Sequence, residues 1–328
     1  MVPIPIKTES AVSEFDIVSI GECMVEFYSD KPFIDAQSFH KSFGGGTLSV
    51  LVTASRLGSR SGYISRIGED DFAPYLLQEM LNEKIDLSLV KVTPGRKNGM
   101  FVISTFEGGG VNLAVYRDDT AAALLSVNDL ETGYLSAAKF LHVSGVSQAV
   151  SKSCRNAVFE ACRLVKENNT GAVSYDSHYR SNIWSAKEAK RAFEEVLPFI
   201  DILFLSHPLE SKTLIGTDEP KELFKVLWQQ GIRVLILSLG KQGCIVGERH
   251  SGAIGNVAAK IISNGNAAWG IASEDAFTGA FLHGLARGFD VFQAARLGNI
   301  ASSLVRVGHG TVAALPRHGD VYRLFEAA

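Results

Sequence analysis

The chain is poor in cysteine, and its cysteines form no pattern. Cys23, Cys154, Cys162 and Cys244 are four among 328 residues, too few and too scattered for a disulfide framework. A reducing, cytoplasmic setting is the expectation that follows. No two of them stand at a Cys-x-x-Cys spacing and the eight histidines are dispersed, so a structural zinc site is not expected. Charge of one sign is lacking too: 32 Lys+Arg face 35 Asp+Glu, a formal charge of -3. That balance offers no basic footprint for nucleic acid or for an anionic membrane. Long apolar runs are missing as well. The longest, around Val196–Leu205 and Ile232–Leu239, are interrupted by Pro198, Asp201 and Arg233 and fall short of the roughly 20 residues that span a bilayer. Met1–Glu14 carries Lys7, Glu9 and Glu14 without an apolar core and does not read as a secretory signal.

What is present is ordinary for a globular chain: 46% apolar and 20% charged residues. At roughly 150 residues per domain, the length suits about two domains or one large α/β domain with an insertion. Short β-rich runs alternate with helical patterns. Strands are expected at Asp16–Ile20, Ser61–Arg66, Phe140–Ser144, Ala172–Asp176, Ile202–Leu205 and Val234–Leu239. Helices are expected at Leu48–Leu57, Phe72–Asn82, Ser151–Asn168, Ala186–Val196, Pro220–Gln230, Glu274–Arg287 and Val291–Val305. This alternation predicts a mostly parallel sheet covered by helices on both faces. Met24–Ser42 and Asn98–Arg117 break it. They read as strands without helices between them, and Glu107-Gly108-Gly109-Gly110 marks a hairpin in the second. A small projecting β-sheet is expected from these two stretches.

Two constellations can carry chemistry. Phe43-Gly44-Gly45-Gly46 precedes a helix ending Arg56-Leu57-Gly58, and Gly68-Glu69-Asp70-Asp71-Phe72 follows. Glycines before a helix let a ligand approach the backbone. The spacing is neither that of a P-loop nor that of a dinucleotide-binding turn. The second constellation is Ser273-Glu274-Asp275-Ala276-Phe277-Thr278-Gly279, an acidic helix start followed by small residues. Arg117 and Arg180 are candidates for gripping a carboxylate, because a guanidinium offers two parallel hydrogen bonds.

Taken together, in this order and at opposite ends of the chain, the two constellations resemble the paired signatures of the ribokinase-like (pfkB) carbohydrate kinases. The resemblance runs from about Phe15 to about Arg323. Val115-Tyr116-Arg117 with Thr120-Ala121-Ala122, and Asp176-Ser177-His178-Tyr179-Arg180 with Trp184, are similar to segments of the 2-keto-3-deoxygluconate kinase branch. It implies a three-layer α/β/α domain over 15–325, with lid segments 24–42 and 98–117 and an N-terminal extension 1–14. It implies ATP-dependent phosphorylation of a sugar or sugar-acid hydroxyl, with ATP and Mg²⁺ taking part. By position, Asp275 would be the catalytic base. Glu26, Gly44, Gly45, Arg117, Asp176 and Arg180 would lie on the sugar side. Ser238, Gly240, Gly243, Ala272, Ser273, Glu274 and Asn299 would lie on the nucleotide side, and Glu210 would support the metal's water shell. A homodimer through the lid is a further expectation.

The chain departs from the family pattern at several of these places. Ala272-Ser273-Glu274 stands where the family has Gly-Ala-Gly, and Trp269-Gly270-Ile271 where it has Asp-Thr-Thr. Ser49, His178 and His207 replace asparagines, and Ala73 replaces a glycine. If the turn before Asp275 needs φ > 0 or a close phosphate approach, Ala and Glu suit it poorly. Glu274 also adds negative charge beside an anion site. Two readings therefore stand: a working sugar kinase, and an impaired or non-catalytic homologue that binds a sugar acid or a partner. A nucleoside kinase of the same fold is less favoured, because Arg117 and Arg180 suit a carboxylate better than a base.

Overall fold

The computed structural model describes residues 14–106, 110–260, 262 and 267–327. Residues 1–13 of the expected extension and the Glu107–Gly109 turn lie outside them. The first half of the main sheet is built from β1 (Phe15–Ile20), β4 (Ser61–Gly68), β5 (Ile85–Thr93) and β8 (Ala138–Ser144). The second half comprises β9 (Ala172–Asp176), β10 (Ile202–Ser206), β11 (Val234–Ser238), β12 (Gly243–Glu248) and β13 (Ala253–Ala258). These nine strands run in the order β13-β12-β11-β10-β9-β8-β1-β4-β5. All neighbours pair in parallel except β11–β12 and β12–β13, which form an antiparallel margin.

The buried strands read as continuous apolar runs because both faces are covered. One face carries α1 (Gly46–Leu57), α8 (Ser273–Ala286) and α9 (Val291–Val305), whose side chains share a core with α2 (Ala73–Asn82) and α10 (His318–Glu326). The other carries α5 (Lys152–Glu167), α6 (Ala186–Val196) and α7 (Pro220–Gln229), together with the short α3 (Thr132–Ser136). Five-residue α4 (Gly145–Ala149) follows β8. Helix α5 begins as its sequence dictates: the Ser151 hydroxyl accepts the Cys154 N–H at 3.0 Å. Helix α8 is buried on nearly every side, so it lacks the polar stripe of a surface helix.

The second sheet has four strands, ordered β3 (His40–Gly44), β2 (Met24–Ser29), β6 (Gly99–Phe106) and β7 (Gly110–Tyr116). The β6–β7 hairpin is antiparallel, whereas β2 and β6 pair in parallel across a long sequence gap. A three-layer main body with a small additional β-sheet is therefore the observed fold. Strand β5, the β12–β13 margin and α10 are elements that the sequence reading did not mark. Among the described residues, no helix is long and apolar enough to cross a membrane. All four cysteines are free and buried.

Candidate active site

The glycine segment before α1 meets three groups of polar side chains. A Cβ added at Gly44 would lie 2.8 Å from the Thr311 hydroxyl, and Thr311 donates both its N–H and its hydroxyl to Glu26, each at 2.8 Å. At Gly45 an added Cβ would fall 2.0 Å from the Glu22 carbonyl oxygen, an approach only glycine permits. The Glu22 side chain in turn pairs with Arg117 at 2.8 Å. At Gly46 an added Cβ would stand 3.8 Å from both Asp275 Oδ1 and His178 Nδ1. Consecutive Cα atoms are about 3.8 Å apart, so these groups surround one short stretch of backbone.

The third group is the most unusual. His178 adopts φ 38°, which is left-handed and uncommon for a side chain of its size. Its buried Nε2 faces Asp176 Oδ2 at 3.4 Å, Glu274 Oε2 at 3.5 Å and Asp275 Oδ1 at 3.6 Å, with no hydrogen-bond partner. Asp176 ends β9, and Glu274 and Asp275 are in the first turn of α8. Thr278, one turn further along α8, donates to Asp176 at 3.2 Å. Burial pushes the Asp275 carboxyl up to about 7; Asp176 and Glu274 add to the rise, while His178 and Arg180 oppose it. Burial also drives Asp176 well above the carboxylate range, with Glu210 and Glu274 reinforcing it.

Glu274 behaves differently. Burial would raise its carboxyl, but His178, Arg180, the Ser206 hydrogen bond and Arg306 outweigh that and hold it below the ordinary range. Ser206 Oγ donates to it at 2.7 Å, and Arg180 approaches at 3.5 Å.

Beside this cluster lies a cleft of about 430 Å³, a volume that includes its part open to solvent. Its polar lining includes Ser238, Gly240, Gly243, Glu274 and Asn299, five of the residues expected on the nucleotide side. Asp176, Ser206, Ser302 and Arg306 line it too. Ala272 and Ser273 are buried and do not line it. Nor do they show the backbone demand expected of them: Ala272 has φ -90° and Glu274 lies within the helix, so neither needs a left-handed conformation.

Glu210 is buried and engaged. Its Oε1 accepts the Tyr179 N–H at 2.7 Å; its Oε2 accepts the Ser206 N–H at 2.7 Å and the Ser177 hydroxyl. Those three donors leave little acceptor capacity for direct metal ligation. Among the described residues no cluster of three His, Cys, Asp or Glu could hold a metal ion.

Arg117 and Glu26 thus stand in the neighbourhood of Gly44–Gly46 but are already paired, while Arg180 reaches toward Glu274. Glu22, Ser206, Thr278, Arg306 and Thr311 were not singled out for this site by sequence reasoning. Glu22 and Thr278 stand inside segments that the sequence pattern marks, and Arg306 carries a helical signal of its own. Asn299, Ser302 and Arg306 fall at i, i+3 and i+7, one face of a helix.

Sequence and fold also have counterparts among known proteins. A 5-dehydro-2-deoxygluconokinase from Bacillus velezensis is 27% identical over 326 residues, covering 96% of this chain and 95% of that protein. A 2-dehydro-3-deoxygluconokinase from Thermoproteus tenax is 26% identical, covering 97% of each. Among solved structures, a PfkB protein from Polaromonas sp. JS666 superposes with a TM-score of 0.82 at 25% identity, over 94% of this chain and 99% of that one. A fructokinase with bound ATP from Xylella fastidiosa gives 0.81 at 20%, over 95% and 98%. The description "pfkB family carbohydrate kinase" matches residues 14–318. The chain belongs to the pfkB family of carbohydrate kinases.

Proposed function

We propose that the chain transfers the terminal phosphoryl group of ATP to a hydroxyl of a sugar acid of the 2-keto-3-deoxygluconate type. The observation that carries this reading is Asp275. It is a buried carboxyl whose proton affinity is matched to neutral pH, set between the Gly44–Gly46 segment and the cleft lined by Ser238, Gly240, Gly243 and Asn299. A general base works best with a pKa near the operating pH. In the proposed step the substrate hydroxyl gives its proton to Asp275, its oxygen bonds to the phosphorus, and the bond from that phosphorus to the leaving ADP oxygen breaks. Arg180, about half exposed, would meet the substrate carboxylate; Arg117 has further N–H donors beyond the one given to Glu22. The four-stranded sheet would serve as the lid.

The residue set suits a Mg²⁺ that arrives on the nucleotide. Such an ion keeps several waters and takes its other ligands mainly from phosphates, so no protein cage is needed. Glu210, with its donors already assigned, would act through that water shell. When bound, the ion would neutralise charge developing on the phosphate oxygens.

A second reading is favoured by one observation. Glu274, an ionised carboxylate, lines the cleft where phosphates would enter. On that reading the chain binds a sugar acid and turns over slowly or not at all. Coupled measurement of ADP release across a panel of sugars and sugar acids tests the proposal. Turnover of order 1–100 per second with a keto-acid sugar is expected of a working kinase. No ADP with any member of the panel, together with a thermal shift from a sugar acid alone, would replace the first reading by the second. Exposed Leu113, Val115 and Tyr116 on β7 would be covered by a second copy in the proposed homodimer, which light scattering at micromolar concentration tests.

A further inference from the structure

The charge balance of the cleft singles out one cation. Arg306 projects from the end of α9, on the face shared with Asn299 and Ser302, and all three line the cleft. Its stem lies against the turn entering α8: a Cβ added at Gly270 would be 3.3 Å from Arg306 Cγ. The guanidinium is half-buried, yet it makes no hydrogen bond or ion pair among the described residues. The other arginines near the site differ. Arg117 is paired with Glu22 at 2.8 Å, and Arg180 approaches Glu274 at 3.5 Å. Glu274 acts on Arg306 through space, without a direct pair.

A guanidinium does not shed its proton, so partial burial without a directly paired counter-ion among the described residues is a standing penalty. The anion that removes it must come from the cleft. Besides hydroxyls, glycines and an amide, the cleft is lined by apolar Phe204, Leu205, Ile236 and Phe277 and by two acids: Asp176, whose carboxyl burial drives well above the carboxylate range, and Glu274, which already accepts from Ser206 and lies near Arg180. A planar fork of N–H donors facing such a space is suited to phosphate oxygens.

We propose that Arg306 binds the phosphate tail of the nucleoside triphosphate and offsets the negative charge that Glu274 brings to the cleft. This deepens the kinase reading by naming the residue that would hold the donor's charge. It also explains how the chain tolerates an acid in place of a glycine at position 274.

The test is nucleotide binding by the purified full chain, with and without Mg²⁺, measured by calorimetry for ATP, ADP and adenosine. Arg306→Met keeps the apolar stem and removes the fork. Its affinity for ATP should fall by about tenfold to a hundredfold, the range for a charge-assisted hydrogen bond, while adenosine binding holds within twofold. Glu274→Gln in the Arg306→Met background should recover part of the loss. A folded Arg306→Met that binds ATP within twofold of the unaltered chain overturns the proposal. So does an equal fall for ATP and adenosine, which would make Arg306 a mere wall of the cleft. Arg306→Gln serves if the methionine variant does not fold, and the same two outcomes apply. An unaltered chain that binds no ATP overturns it as well. If ATP binding depends on Arg306 but no sugar is phosphorylated, the kinase reading fails and this inference stands.

Discussion

The regions around Glu22 and Glu274 hold similar residues in opposite circumstances. At Glu22 an acid and Arg117 are both largely buried and close at 2.8 Å. Burial raises the Glu22 carboxyl, and Arg117 pulls it back. At Glu274 the acid is partly exposed, its arginine is about half exposed, and their separation is 3.5 Å. One region pairs its two charges directly, although Glu22 Oε2 stays buried without a hydrogen-bond partner among the described residues. The other leaves Arg180 and Arg306 incompletely matched around a cleft. Charges that are already paired hold the fold, and charges left half-paired mark where a ligand's charge belongs.

The most severe break should come at the carboxyl between the two regions. Asp275→Asn removes the proposed proton acceptor while keeping the shape of the side chain. Turnover should fall by roughly 10²–10⁴-fold with little change in sugar affinity. In the unaltered chain, activity should rise with pH through an acid limb near 7, as Asp275 loses its proton. The stability sign is the reverse. Asp275 keeps its proton to about pH 7 when folded, against an ordinary value of 3.8. Folded chain therefore binds more protons between those limits, and this group's contribution to stability declines as pH rises across them. The asparagine variant should consequently melt above the unaltered protein at pH 8, with the gap clearly narrower at pH 5 and closing only below about pH 4. An equal gap at both pH values would show that Asp275 does not titrate as described.

The two arginines should separate next, on stability. Arg117→Met leaves Glu22 buried without its counter-ion, and breaking such a pair costs about 3–5 kcal/mol. The loss should be smaller at pH 5 than at pH 8, because protonation of Glu22 relieves it. Arg180→Met breaks a long, solvent-screened pair and should change stability by less than about 1 kcal/mol. Urea unfolding of both variants checks this. Equal losses would erase the distinction between a fold-holding and a ligand-facing arginine.

How far the sequence discloses the site follows the same division. The strand–helix alternation is legible because the buried strands are short apolar runs and most surface helices carry an apolar stripe, as at Ala186–Val196. The β12–β13 margin is not, because Gly243, Gly247, Gly252 and Gly255 interrupt it and hide its alternation. Ser238, Gly240, Gly243 and Asn299, which line the cleft, are named through the family resemblance. His178 was noted as a departure, but nothing in the sequence says that its ring would sit among three carboxylates. That depends on the end of β9 meeting the start of α8, a long-range contact that no local pattern encodes. Arg117 is named for the substrate from the family resemblance, whereas its pairing with Glu22, far away in sequence, cannot be read there.

The smallest expected effect bears on why the turn before Asp275 departs from glycine. The sequence suggests that Ala272 lacks a backbone freedom the site requires. In the folded chain Ala272 has φ -90° and ψ 16°, is 1% exposed, and caps α8 without strain. Ala272→Gly therefore gives the backbone a freedom that it does not use, enlarges the unfolded ensemble and removes a buried methyl group. Stability should fall by about 1 kcal/mol, read as a lower urea midpoint with an unchanged slope. Turnover and ATP affinity should stay within twofold, because the charge that faces the cleft belongs to Glu274 and not to its neighbour. A tenfold gain in turnover from this single change would restore backbone freedom as the limiting feature. It would also remove the contrast between a region whose acid and arginine are directly paired and one whose charges face a cleft.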